Sequence, residues 1–411
     1  MVKLNISGFI SLIIVVIAVI LTSSWLQGNI TLLSRGWVWL GLGCVMCLLA
    51  YPPYIKQKNN MWLLAYAAIV VLNFFMGDSY FHSIVNVIME VAMLLFCSYL
   101  AFYITEDKKI INIFVYSQLL VVVATAVLSI TVNMIFPGVI RDTVTLINAG
   151  YSSKAIPFYR IGVCEYGYPH GIPMILPGLV LLYKNHRLKL IYRIIALSIV
   201  VLLFYLVFIS GVTTALILTI FGILASFFIR QDDVRKNVTR LVILGILMMP
   251  LLNDDAALGV LKFAEQVVPE DNKITGKIAN FEETIQNSNT ADGTIQTRGE
   301  LYGMSISGFF SNPIIGINDK SYGEHSAILD RFATLGLLGG IPFLLFILFL
   351  YKMIKQRIPS HSMMFFYIGM AGFLIMLATK NMNNIYVWLY SICLLPALLL
   401  FNSNPPKFIR K

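Results

Sequence analysis

The chain has 411 residues, of which 58% are hydrophobic and 12% charged, with a mean hydropathy of +0.81 and a formal net charge of +10. These values exclude an ordinary soluble domain and an intrinsically disordered chain. A membrane-crossing helix needs about 20 apolar residues, and about twelve runs approach that length. In chain order they are Ile6–Leu26, Gly36–Tyr54, Met61–Met76, Ser83–Tyr103, Ile110–Phe136, Gly171–Tyr183, Leu190–Ser210, Val212–Ile229, Leu241–Leu252, Phe332–Tyr351, Met363–Ala378 and Ile385–Phe401. Gly171–Tyr183 and Leu241–Leu252 are short for full spans. The expected fold is an all-α polytopic membrane protein of about 12 transmembrane helices. Residues 1–252 hold spans one to nine, 253–331 a large polar external loop, and 332–411 spans ten to twelve with a tail.

Basic residues gather on alternate loops: Lys56 and Lys58, Lys108 and Lys109, Lys184 to Lys189, Arg230 to Arg240, Lys352 to Arg357, and the tail. By the positive-inside rule both termini are cytoplasmic and the long loop is external. In that loop acidic residues outnumber basic ones. The net positive charge therefore belongs to the cytoplasmic face, where it implies contact with anionic membrane lipids and not nucleic acid. Ile6–Leu26 is longer than a signal-peptide core and ends in no small-x-small site, so it is expected to be an anchor.

Cys44 and Cys47 form a CxxC inside an apolar run without His or Asp partners, the pattern of helix packing. Cys164 alone falls in an external loop, which argues against a disulfide framework. The chain contains no GxGxxG, no GxxxxGK[ST], no DxD and no HExxH. Neither a cofactor nor a metal is expected.

Polar residues concentrate in two external segments. Pro137 to His170 contains Arg141, Lys154, Arg160, Glu165 and the run YRIGVCEYGYPHG. Its glycines, prolines and tyrosines predict an irregular loop descending into the short sixth span, with Arg160 and His170 near the bilayer boundary. Arg160 could equally reach to headgroups, with Tyr159, Tyr166 and Tyr168 in an interfacial aromatic belt. In the long loop, Ala256–Val268 has the spacing of a surface amphipathic helix, and Asp271–Asp292 is polar. Thr297 is the expected N-cap of a helix over Arg298–Phe310, with Glu300 completing a capping box. Arg298 would then lie in the first turn, where a cation gains nothing from the helix dipole. An anion nearby would account for it, whether a ligand or Glu300 or Asp330. His325 follows Gly323 and Glu324 just before the tenth span. Taken alone, a loop histidine is a solvated residue or a cap; here it shares a face with several arginines.

The residues TRGELYG, SNPIIGI (Ser311–Ile317) and EHSAILDRFATLGLLGG (Glu324–Gly340) resemble the bacterial O-antigen ligase/polymerase superfamily. So do RIGVCEYGYPHG upstream and SGVTTALILTIFGIL (Ser210–Leu224). The chain departs from the usual pattern where Ser326 follows His325, at Asn318, and at Thr213-Thr214 in place of Ser-Arg. The resemblance implies a metal-independent membrane glycosyltransferase of the C type, acting on the outer face of the bacterial cytoplasmic membrane. Its donor would be an oligosaccharide on undecaprenyl diphosphate, and a chain-length regulator would be a partner protein. His325 would be the catalytic base and Arg160, Arg298 and Arg141 would bind the diphosphate, with Glu324, His170 and Tyr302 as accessory candidates. Guanidinium forks suit phosphate oxygens, and histidine suits a base near neutral pH. A composition rich in Ile, Asn and Lys favours a polymerase over a ligase that transfers glycan to lipid A core. A flippase or secondary transporter is the alternative of another class. Glu90 is the one clear acidic residue well inside a span, and no half-repeat is visible.

Overall fold

In lipid, a backbone can satisfy its own polar groups only as helix or closed barrel, and this chain takes the first solution. A computed structural model describes residues 6–29, 36–50, 54, 56–76, 84–106, 108–148, 152–229, 236–240, 243, 294–317, 319, 326–380, 384–403 and 406. Among them there is no strand. The helices are α1 (Ile6–Thr22), α2 (Ser24–Asn29), α3 (Gly36–Ala50), α4 (Lys58–Phe75), α5 (Ile84–Glu106), α6 (Lys108–Ile135), α7 (Val139–Asn148), α8 (Ser152–Ile161), α9 (Gly167–Lys184), α10 (Leu190–Ile209) and α11 (Thr213–Phe228). They continue as α12 (Thr294–Ser311), α13 (Leu329–Lys355), α14 (Met363–Thr379), α15 (Ile385–Leu389) and α16 (Leu395–Ser403), the last two joined by a π turn over Tyr390–Leu394.

Among the described residues, six segments are long and apolar enough to cross a membrane: Val85–Thr105, Ile110–Ile135, Leu190–Ile209, Leu329–Lys355, Ser360–Thr379 and Ile385–Ser403. Phe9–Thr22, Val38–Ala50 and Thr213–Phe228 are shorter apolar helices. The chain is thus an all-α membrane protein by length and composition. The expected span Leu241–Leu252 and the loop segments Ala256–Val268 and Asp271–Asp292 lie outside the described residues, apart from residue 243.

The short sixth run is the centre of the bundle. Its helix, α9, begins at Gly167, earlier than expected, and is buried from Gly167 to Leu182. It packs on α10, α11, α14, α15, α16 and the π turn. A helix covered by protein on all sides need not match the bilayer, which explains its modest length. At its far end Lys184 Nζ donates to the carbonyls of Ser226 (2.9 Å), Phe227 (2.8 Å) and Ile229 (2.5 Å). These are orphan acceptors of the α11 C-terminus, where a cation is favoured.

Two expectations are corrected. Among its described residues the stretch from Pro137 to His170 is mostly helical, with 137–138 and 162–166 outside the helices. Its glycines are helix punctuation: Gly138 (φ 82°) precedes α7 and Gly162 (φ 103°) ends α8. Thr297 is no N-cap, because α12 already begins at Thr294. Arg298 therefore lies beyond the first turn, and Thr297 and Glu300 do not occupy the N-cap and third helical positions.

The last correction exposes the joint that organises one end of the molecule. Helix α12 runs beside α13 in the same direction. Ser305 pairs with Asp330, the Phe309 ring meets Phe332 at 5.7 Å, and the carbonyls of Pro313 and Ile314 accept from Leu337 N (2.8 Å) and Leu338 N (3.1 Å). Helix α13 is broken at Gly336 (φ 59°, ψ −159°). The break frees the N–H groups of 337 and 338, and the Asn312–Ile317 turn takes them. In return Ile317 N donates to Ala333 O at 2.9 Å. Gly316 (φ 79°) allows the turn to approach, since a Cβ there would stand 2.3 Å from Thr334 O.

Candidate functional site

The starts of α9 and α13 and the ends of α8 and α14 share one end of the bundle. On one flank, Asn29 Nδ2 donates to Arg160 O at 2.7 Å and ties α2 to α8. Arg160 is exposed in the last turn of α8. A helix C-terminus itself favours a cation, so its charge is placed favourably without a ligand. Burial pushes the Tyr159 hydroxyl up to about 12, eased by a hydrogen bond with Thr143 and reinforced by the charge of Glu165. Burial likewise raises the Glu165 carboxyl above the ordinary glutamate value. Cys164 is buried with a free thiol, and its backbone N–H donates to Ser129 Oγ at 2.8 Å. His170 is enclosed in the first turn of α9. Its Nδ1 lies 2.9 Å from Tyr166 O, and its ring centre 4.9 Å from that of Tyr166. Arg141 is half-buried on α7, beside Asp142. Asp142 lines a cavity of about 340 Å³ with Phe136, Thr143 and Phe158.

On the other flank, Tyr302 donates to Thr379 O at 2.8 Å and holds α12 to the end of α14. The mouth of α13 is pinned from three sides. Asp330 accepts from Ser305 Oγ (3.0 Å) and from the N–H of Ser326 (2.9 Å), and the Ser326 hydroxyl accepts from Leu329 N (3.1 Å). Ala327 N and Ile328 N donate to Lys380 O (3.1 Å) and Leu377 O (3.3 Å). The backbone of Arg298 stands one turn before Tyr302. Glu324 and His325 lie outside the described residues, adjoining the pinned Ser326. The flanks approach one another at Asn384. Its side chain lies against Gly167, where a Cβ would collide with it.

Sequence reasoning missed the polar centre beneath this mouth. Arg331 and Glu90, 1% and 5% exposed, form an ion pair at 2.5 Å inside the bundle. Tyr66 donates to the same Glu90 oxygen at 2.5 Å and accepts from Arg331 Nε at 2.9 Å. Arg331 Nη1 donates to Ala327 O at 2.6 Å, and the guanidinium lies 4.4 Å from the Phe343 ring centre. A buried ion pair persists only when its remaining donors are also satisfied. Here one guanidinium joins α4, α5 and α13. Glu90 is visible in the sequence as a charge inside a span, whereas Arg331, just before the apolar run from Phe332, reads as the end of the polar loop.

Among the described residues no group of three or more His, Cys, Asp or Glu is placed to hold a metal ion. No family model matches the chain, and no curated protein matches its sequence.

Proposed function

We propose that the chain is a metal-independent glycosyltransferase of the polymerase kind. It would join undecaprenyl-diphosphate-linked repeat units on the outer face of a bacterial cytoplasmic membrane. One observation carries the reading. The described residues among those that resemble the O-antigen ligase/polymerase superfamily, Ser311–Ile317 and the α13 segment to Gly340, build a single interlocked joint of α12, the Asn312–Ile317 turn and the broken α13. That joint fixes both chain ends of the segment bearing His325. In this scheme His325 takes the proton of the acceptor hydroxyl as its oxygen attacks the anomeric carbon. The bond from that carbon to the diphosphate oxygen breaks, and the electron pair leaves with the lipid diphosphate. Arg298 and Arg160, with Arg141 in support, would offset the charge developing on that leaving group.

The test compares lipid-linked glycans made with and without the gene, separated by size. Loss of long chains, with single repeats accumulating on the outer side of the membrane, supports the polymerase. A second reading, a secondary transporter or flippase, is favoured by the Glu90–Arg331 pair, since ionisable residues inside a bundle often mark a transport path. Under that reading single repeats stay on the cytoplasmic side.

A further inference from the structure

The segment that sequence places in the external loop contains a part with the chemistry of a membrane interior. From Leu301 to Asn318 there is no charged residue. The two exposed serines of α12, Ser307 and Ser311, turn their hydroxyls onto the helix's own carbonyls, at Met304 O (2.9 Å) and Gly308 O (2.8 Å). The outward face carries Ile306, Phe310 (74% exposed), Ile314 (62% exposed) and Ile315. It continues without a break into the exposed stripe of α13: Leu337, Leu338, Ile341, Leu344 and Leu348.

Depth follows from the register. Counting back about 20 residues, one hydrocarbon thickness, from Lys352 at the far end of α13 reaches Phe332. Leu337 and Leu338, level with Pro313 and Ile314, then lie roughly 8 Å inside the hydrocarbon layer at about 1.5 Å per residue. Irregular backbone is tolerated there only if its polar groups are paired within protein. Five backbone groups of this turn meet that demand: the carbonyls of Asn312, Pro313 and Ile314 accept from the N–H groups of Gly316, Leu337 and Leu338, and Ile317 N–H donates to Ala333 O.

We propose that the end of α12 and the Asn312–Ile317 turn form a re-entrant membrane element, dipping into the bilayer beside α13 with Phe310 at the boundary and Ile314 and Ile315 against acyl chains. The occupant of this apolar face is the bilayer, argued from its continuity with the spanning face of α13 and from the turn carbonyls that pair with the α13 backbone.

The test places single nitroxide labels at Phe310→Cys, Ile314→Cys and Ile315→Cys in the full-length chain in phosphatidylcholine vesicles. Ile341→Cys is the lipid reference and Glu300→Cys the aqueous one. The five native cysteines are buried, so labelling reports the new site, and the chosen positions are exposed, so packing is spared. Collision with dissolved oxygen and with a water-soluble nickel chelate is read by electron paramagnetic resonance. The expected oxygen-to-nickel ratio at 314 and 315 approaches that at 341, the ratio at 310 is lower because that site lies nearer the boundary, and all three exceed that at 300 severalfold. A ratio matching that at 300 would place the turn in water and overturn the proposal. Low collision with both probes would mean a protein-covered face, such as a second copy of the chain, and would overturn it equally.

Discussion

Gly336→Ala is the substitution on which the joint between α12 and α13 can be judged. The residue has φ 59° and ψ −159°, a region that essentially only glycine enters. A Cβ there would stand 2.3 Å from Ile314 O and 2.6 Å from Gly316 N, both backbone atoms that no rotamer change can move away. Forcing a non-glycine residue into such a conformation costs about 1–3 kcal/mol. Relief by separating the two segments would break the bonds Ile317–Ala333, Leu337–Pro313 and Leu338–Ile314, each worth about 0.5–1.5 kcal/mol. Strain and lost bonds together set an expected destabilisation of roughly 2.5–7.5 kcal/mol, a large part of the roughly 5–15 kcal/mol that a folded protein has in total. The assay is the unfolding midpoint of purified protein in detergent, by heat or by rising denaturing detergent. Gly303→Ala is the control, since nothing lies within 4 Å of a Cβ there; in a helix it should stabilise by up to about 1 kcal/mol. If Gly336→Ala unfolds no more easily than Gly303→Ala, the interlocked joint is refuted.

Other outcomes follow from the same geometry. Glu90→Leu or Arg331→Met alone should cost about 3–5 kcal/mol by stranding a buried charge, whereas the double substitution should cost clearly less than their sum in the same unfolding assay. The Glu165 carboxyl is raised by burial, so its contribution to stability is complete below the ordinary glutamate range and is lost as pH rises through its folded value. Glu165→Gln should accordingly flatten the fall in stability above about pH 4.3; an unchanged slope would show that the carboxyl is solvated. On the proposed reaction, His325→Ala should lose about 10²–10⁴-fold in polymer formation, measured on protein that still purifies as folded. Arg160→Lys and Arg298→Lys should lose most activity although the charge is kept; normal glycan lengths in both would reduce these arginines to simple charges.

Much of the helical plan was legible in the sequence, because unbroken apolar runs leave lipid-exposed backbone few alternatives. What sequence could not show were pairings between distant residues. Arg331 was read as the end of a loop, and only its contact with Glu90 and Tyr66 makes a charge acceptable inside α13. Gly316 and Gly336 were legible as members of a pattern, but their shared cause is a collision that exists only when the two segments touch. Thr297 failed as a cap because helix ends are set by the fold as well as by local chemistry. That His170 is enclosed was not legible either, because α9 extends upstream of the apolar run and takes it into the packed helix. Of the proposed site, Tyr302 and the neighbour of His325 are held firmly on the α13 flank. Arg160 belongs to the α8 flank, a separation that no local pattern encodes.

The burial of α9 has a consequence for how the chain is assembled during synthesis. The helices it packs on most closely, α10, α11, α14, α15 and α16, all follow it in the chain. It carries Pro173 and Pro177 within its length, and it is not among the helices apolar and long enough to span lipid by themselves. When α9 leaves the ribosome none of those partners exists, so it must wait in a translocation channel or at a bilayer edge. Its final seat closes only when Ile385–Ser403 arrives, more than two hundred residues later. Chains cut short before Ile385–Ser403 would leave one side of α9 uncovered, and with it the prolines and polar groups of that helix open to membrane quality control.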